Sequence, residues 1–355
     1  MSNDLQVPQR GDFQWYGMSG AFEPTVEAMA EERGYFGLVP EATYIWGTFR
    51  DAKGKVYVFM RRLPFNGLTE SPKEPGTRST IGRRAVLFVQ DDAGRIDVHP
   101  ASMATGYNTD AEVALNGDRL TWRIPAMGEK RRALEAAAGP SGLKYREDGL
   151  IDVAGPMLKP GLHWYLPGRD NGLYYASQTF PCSGTILGTP VNGFLFIEQA
   201  YMRPGGVLYL VNDVLVGAQT HLTWYSFATE YEDGETQFGH FIVGHDRLGI
   251  GIVANTSGVL VNSSTVEARV ARLPDGWSER VDLNVDGEAW EILQPEPLRI
   301  LPTGHTPNRQ QEGLCRRVGE KRKPVRWLAW GETAHGTHRL HRYAPLYRRV
   351  AAPGK

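Results

Sequence analysis

Short β-prone runs recur along the chain and are broken at even intervals by residues that make turns. This rhythm constrains the fold more than any other feature of the sequence. In the first half, Tyr44–Arg50 and Val56–Arg61 flank Asp51-Ala-Lys-Gly-Lys55, a hairpin with a Gly-containing loop. Arg84–Val89 and Ile96–His99 repeat the arrangement around Asp91-Asp-Ala-Gly-Arg95, and Val113–Leu115 and Leu120–Ile124 repeat it around Asn116-Gly117-Asp118. Asn-Gly there supplies the positive φ angles of a tight turn. The second half is more regular, with expected strands Gly193–Met202, Gln219–Tyr231, Thr236–Val243, Leu248–Ala254, Val266–Leu273, Trp277–Val285 and Glu288–Leu293. Turn residues at such spacing describe an antiparallel meander, sandwich or barrel.

Helical signal is scarce. Thr25–Arg33 follows Pro24 and stops at Gly34, and Glu129–Ala138, rich in Ala, Glu and Arg, ends at Gly139-Pro140. That second helix and the Gly-rich run to Gly155 mark the expected boundary between two β halves, 1–155 and 156–355. The fold class read from this pattern is all-β: two antiparallel barrel-like units packed together, with few short helices. A chain of 355 residues buries roughly three quarters of its unfolded surface and needs no staples.

Lys plus Arg number 39 against 40 Asp plus Glu, a net charge of −1, which gives no long-range pull toward nucleic acid or anionic membrane. The basic stretch Arg316, Arg317, Lys321, Arg322, Lys323 and Arg326 reads as a solvated loop offsetting acidic segments elsewhere. Two cysteines, Cys182 and Cys315, cannot build a disulfide framework or a Cys-rich zinc site. The N-terminus lacks the apolar core of a signal peptide, and no run of about 18 apolar residues occurs, so the expectation is a cytoplasmic protein with no membrane span. P-loop, His-Glu-x-x-His, Cys-x-x-Cys and Gly-x-Ser-x-Gly motifs are absent. Gly249-Ile-Gly251-Ile-Val-Ala254 has no helix after it to hold a pyrophosphate and reads as a strand with closely approached glycines. His335, His338 and His341 read as surface histidines rather than a metal site. No metal and no cofactor are expected, and whether two copies of the chain pair is left open.

One segment rises above this background: Gly193-Phe-Leu-Phe-Ile-Glu198-Gln199-Ala-Tyr201-Met202. Alternation places Phe194, Phe196, Glu198 and Ala200 on one face, and Leu195, Ile197, Gln199 and Tyr201 on the other. Facing a barrel interior, Glu198 would have its pKa raised by desolvation and could donate a proton near neutral pH. Facing solvent, or paired with an arginine, it would be an ordinary carboxylate; strand polarity alone does not choose. His221 and Thr223 share one face of the next strand, and Trp224, Ser226 and Ala228 the other. His240, in Phe238-Gly-His-Phe241, is a second imidazole able to shuttle a proton. Trp164, Tyr165, Tyr174, Tyr175 and Trp224 carry one polar handle each and suit the wall of a ligand cavity, as do Phe196 and Tyr201 on the Glu198 strand. Core packing is the plainer role for any single one of them.

Leu162-His-Trp-Tyr165, Leu173-Tyr-Tyr-Ala-Ser177, Ser183-Gly-Thr-Ile-Leu-Gly188, Val191-Asn-Gly193-Phe and Ile197-Glu-Gln199 follow one another in an order that resembles the lipocalin-like carotenoid 1,2-hydratase superfamily. That superfamily also takes in kievitone hydratase and the fungal decalin-forming cyclases. The likeness covers Leu162 to Ala254. It implies two lipocalin-like β-barrel domains enclosing an apolar pocket, and chemistry on isoprenoid, polyketide or phenolic substrates. Members often carry Asp-His shortly followed by Trp-Gly where this chain has Glu198-Gln199-Ala200-Tyr201. The resemblance therefore implies an acid retained in kind at Glu198, with His221 or His240 standing across the barrel for the missing histidine. The function expected is a cofactor-independent proton-transfer enzyme acting on a small apolar molecule, a hydratase or dehydratase (a lyase), an isomerase or a cyclase. The alternative is a carrier of lipophilic molecules that uses the same aromatic pocket without catalysis.

Overall fold

The computed structural model describes residues 17–30, 34–63, 86–101, 112–128, 132–167, 172–206, 208, 221–244, 248–274, 277–295, 299–300 and 309–333. Within them the chain is all-β, and the one α-helix among the described residues is the single turn Val26–Met29. Thr25 caps it by accepting a hydrogen bond from the Ala28 amide at 3.2 Å.

The hairpins form where turn chemistry places them. Gly117 and Asp118 alone join Glu112–Asn116 to Arg119–Ile124, with Gly117 at φ 63°. Glycine rather than Asn116 thus takes the left-handed position of the two-residue loop. Asp286 and Gly287, at φ 51° and 88°, join Ser278–Val285 to Glu288–Leu293 with both residues left-handed, as a type I′ turn requires.

From one edge, the first antiparallel array runs Met18–Phe22, Gly161–Leu166, Leu173–Ile186, Thr189–Met202, Val39–Arg50, Val56–Leu63, Val86–Gln90 and Ile96–Val98. The far end of Leu173–Ile186, still paired with Thr189–Met202, takes Ile151–Gly155 on its other edge, and Gly142–Glu147, Leu134–Gly139, Arg119–Ile124 and Glu112–Asn116 follow in turn. A second array runs Gly258–Ser263, Gly249–Asn255, Thr236–Gly244, His221–Tyr231, Pro324–Thr333, Arg309–Gln311 and Arg299–Ile300. Ile300 pairs in parallel with Ile96, which joins the two arrays at one end. At the other end Ser19 and Asn262 exchange hydrogen bonds at 2.6 and 3.0 Å. The result is consistent with two barrel-like units, and strands on both sides of residue 155 share the first array.

Three of the buried clusters among the described residues show how the layers stack. One face of the first array buries Ile45, Phe49, Phe59, Phe180, Leu195 and Ile197 against Leu120, Trp122, Leu143 and Tyr145 of the N-terminal strands. Its other face turns Trp46, Phe194 and Phe196 toward Ala228, Phe238, Ile252 and Trp330 of the second array. The back of the second array, with Tyr225, Phe227 and Phe241, is covered by Val281, Leu283 and Trp290 of a separate four-stranded sheet. Each large apolar side chain buried in these layers contributes about 1.5–3 kcal/mol. The central layer lies between two sheets, so its polar groups are walled off from water on both sides.

Residues 134–139 depart from expectation. In place of the end of a helix over Glu129–Ala138, Leu134–Gly139 is a strand between Arg119–Ile124 and Gly142–Glu147. Leu134, Ala136 and Ala138 are buried while Glu135 is exposed. Period-two burial and ladder pairing override the helical propensity of Ala and Glu. Gly139-Pro140, read as a helix stop, begins the hairpin that closes at Gly142. The basic stretch is also more ordered than a loop. Its arginines pair with Glu291, Glu288, Asp233, Glu235, Glu320 and Glu230, offsetting acidic segments as expected. Trp330 packs in the central core. Tyr343, Tyr347 and the three C-terminal histidines lie outside the described residues.

Candidate active site

Glu198 sits on Thr189–Met202 with its side chain in the central layer, and it is 2% exposed. Register carries the surrounding groups to it. Ser177 lies directly opposite on Leu173–Ile186, and Phe196, two residues back along the same face, lies opposite Trp46. Gly47, next to that tryptophan, permits the close strand approach, because a Cβ there would lie 2.0 Å from the Phe194 carbonyl oxygen.

Four donors converge on the carboxyl. Trp46 Nε1 and Tyr175 OH donate to Oε2, the latter at 2.8 Å. Ser226 Oγ donates to Oε1 at 3.2 Å, and Ser177 Oγ reaches the same oxygen at 3.4 Å. Two effects compete here: donors favour the ionised form and burial disfavours it. Burial wins, and the Glu198 carboxyl is pushed up to about 7 from the ordinary carboxylate range. The same burial, with Glu198 alongside, lifts the Tyr175 hydroxyl well above its usual range, so that ring stays a donor at every ordinary pH.

His240 completes a chain of polar atoms. Its Nδ1 is 2.8 Å from Ser226 Oγ, and burial lowers its pKa to about 3, so the imidazole is neutral. Ser226 has a single proton to give. While that proton is donated to Glu198, His240 must offer Nδ1–H to Ser226. When Glu198 itself carries a proton and points it at Ser226, the serine can turn to His240. The walls are aromatic: Trp46 stacks on Phe196 at 4.9 Å, Trp164 stacks on Tyr175 at 4.9 Å, and Trp330 and Trp224 meet these pairs edge-on. Trp164 Nε1, Trp330 Nε1 and His240 Nε2 are buried without a protein hydrogen-bond partner.

Of the residues singled out in the sequence, the structure gathers Glu198, His240, Trp164, Tyr175, Phe196 and Trp224 in this layer. Tyr165 and Tyr201 go elsewhere. They lie on the opposite face, where Tyr165 stacks on Phe36 and Tyr201 packs with Tyr174. The side chain of His221 lies outside the described residues. Trp46, Ser177, Ser226 and Trp330 had no local mark of function. Alternation over 44–50 does put Trp46 on one face, but its meeting with Glu198 spans 152 residues of sequence.

The remaining candidates resolve simply. Cys182 and Cys315 are buried in different cores as free thiols, and burial raises both, Cys182 up to about 12. Gly249–Asn255 is a strand, with Val266 backbone 3.0 Å from where a Gly249 Cβ would stand. Among the described residues no group of three or more His, Cys, Asp or Glu side chains comes together to hold a metal. Nor is any helix there long and apolar enough to cross a membrane. An open groove of roughly 390 Å³ lies over the outer face of the N-terminal strands, lined by Glu112, Arg123, Glu135, Lys144 and Arg146 among others. Its mixed charges face solvent, and Glu198 has no part in it.

No protein-family model matches the chain, and no curated protein matches it. Solved structures of similar shape include a protein described as an AttH from Nitrosomonas europaea, 16% identical, with a TM-score of 0.45 over 88% of this chain and 99% of that one. A structure of CghA with Sch210972 is 10% identical, with a TM-score of 0.44 over 90% of this chain and 98% of that one. Kievitone hydratase from Nectria haematococca is 8% identical, with a TM-score of 0.38 over 90% and 98% of the two chains.

Proposed function

We propose that this protein is an enzyme that transfers a proton to a small apolar molecule, with Glu198 as the general acid. The observation that carries the reading is a carboxyl group buried between aromatic faces and poised to change protonation near neutral pH. A general acid works best with a pKa near the working pH, and burial supplies that match here. Protonation of an alkene or enol would leave positive charge on carbon, which the faces of Trp46, Phe196, Trp164 and Tyr175 are suited to stabilise. Loss of a proton, capture of water or ring closure would then give an isomerase, a hydratase or a cyclase. Isoprenoid, steroid, polyketide and phenolic skeletons fit such walls. After turnover His240 would pass its Nδ1 proton through Ser226 to Glu198 while its Nε2 takes up a proton released by the product or by water, so the imidazole changes tautomer and stays neutral. The unpaired N–H groups of Trp164 and Trp330 suit a substrate that also carries an oxygen acceptor. The chemistry calls on no cofactor.

A carrier without catalysis is the rival, and the four donors already satisfying Glu198 favour it, because a saturated buried carboxyl also describes a purely structural network. Native mass spectrometry against terpenoid, steroid and phenolic compounds, with product analysis of each binder, separates the two. A binder recovered as an isomer or altered by one water, and recovered unchanged from Glu198→Gln, supports the enzyme. Tight binding with every compound returned intact supports the carrier.

A further inference from the structure

The opposite side of the Glu198 strand holds a second buried polar centre, in the N-terminal core. Arg61, on Val56–Leu63, is fully buried, and none of its three guanidinium nitrogens has a hydrogen-bond partner in the protein. Among the described residues Glu147 Oε1 faces it as a counter-charge, 4.0 Å away on Gly142–Glu147 and beyond hydrogen-bond reach. That oxygen is also unpartnered, while Oε2 accepts from Tyr145 OH at 3.0 Å. Register places Gln178, Ile197, Ile45 and Arg61 in one row across four strands, all on the face that lines this core. The Gln178 amide is 1% exposed, and both its polar atoms are unpartnered.

An arginine cannot shed its proton, and a buried charge held at 4 Å without hydrogen bonds is costly. Each orphaned buried polar atom adds its own desolvation penalty. A guanidinium fork, a carboxyl oxygen and a whole amide on one interior call for a partner beyond the protein's own groups.

We infer that the interior of the N-terminal β unit is a binding site for a small organic carboxylate, seated on the Arg61 fork with the Gln178 amide completing its hydrogen bonds. The planar fork matches a carboxylate in two-point contact. A doubly charged phosphate fits worse, since Glu147 stands beside Arg61. Ile45, Ile197 and Phe59 offer an apolar wall to the organic part. Burial raises Glu147 from the ordinary carboxylate range, and Arg61 beside it opposes that shift. The site is separate from Glu198 and does not depend on the enzyme reading.

Calorimetric titration of the full chain with sodium benzoate, and with benzamide as the uncharged match, tests the inference. The expected result is saturable one-to-one binding of benzoate, at least tenfold tighter than benzamide. Arg61→Met should weaken it at least tenfold and Gln178→Leu severalfold, while Glu198→Gln leaves it unchanged. Near-UV circular dichroism identifies a variant that has lost its fold, and Gln178→Leu, which retains Arg61, carries the test if Arg61→Met does. Equal binding of benzoate and benzamide would overturn the inference, as would benzoate affinity unaffected by both variants. So would the lack of any benzoate binding, and an Arg61→Met protein that then melts higher than wild type would make Arg61 and Glu147 a strained structural pair.

Discussion

The two faces of the Thr189–Met202 strand bury polar groups under opposite terms. On the central face Glu198 has as many donors as its two oxygens can comfortably accept. On the N-terminal face Arg61 has a carboxylate nearby and no hydrogen bond, and Gln178 has nothing. Both centres are equally dry, so burial alone does not distinguish them. The difference lies in completeness. A saturated carboxyl is held still, with its protonation tuned by its surroundings. An unsaturated guanidinium is poised to gain a partner.

The largest expected effect strikes the saturated centre. Glu198→Gln keeps the shape and loses the acid, and turnover should fall by about a hundred- to ten-thousand-fold with ligand affinity nearly intact. Steady-state kinetics on a substrate found by the binding screen would check it, and an unchanged kcat would break the comparison. The next effect is on stability. The folded-state pKa of Glu198, about 7, lies above its ordinary value of 4.5, so the folded protein binds a proton more tightly than the unfolded chain does. Its burial therefore costs nothing below about pH 4.5, and the cost grows as pH rises to 7 and is fully present above it. By the linkage relation the total is about 3 kcal/mol. Urea unfolding of wild type and Glu198→Gln from pH 5 to 8 should show the variant gaining on wild type by about that amount.

Trp46→Phe keeps most of the stack on Phe196 and removes one donor to Glu198. Loss of a hydrogen bond to a charged acceptor is worth about 1.5–3 kcal/mol, so the alkaline limb of the pH–rate profile should move up by about one to two pH units. A limb that stays in place would show that Trp46 packs without tuning. The smallest effect belongs to Ser226→Ala, which cuts His240 from the carboxyl. About a tenfold loss in kcat with KM unchanged is expected if reprotonation passes along that chain. Equal loss in both parameters would point to packing alone.

Much of this fold could be read from alternation and turns. Glu288–Leu293 begins and ends where expected, and the opposed faces of Phe196 with Glu198 and of Leu195 with Ile197 are the faces of two different cores. Period-two geometry is local, so local residues reveal it. The same rule puts Tyr201 on the face opposite Glu198, and there it lies. Misreading Glu129–Ala138 has the converse cause: with Ala at three successive positions helical propensity is high, and only partners on both sides make a strand of it. Half of the Glu198 site was legible as an unusual carboxylate among aromatics. Trp46, Ser177 and Ser226 were not, because their role comes from register between distant strands rather than from any neighbour in sequence. Arg61 was hidden in the same way, reading as the polar end of a strand until Glu147 was brought to face it.

The central claim is that one buried carboxyl in this protein changes protonation near neutrality. Carbon-13 NMR of the glutamate carboxyl groups, titrated from pH 4 to 9 in wild type and in Glu198→Gln, measures it directly. The expected result is a resonance titrating at about 7 that is missing from the variant. The contradicting result is a Glu198 resonance that titrates with the exposed glutamates in the ordinary range, which would make it a structural carboxylate and remove the acid from the mechanism.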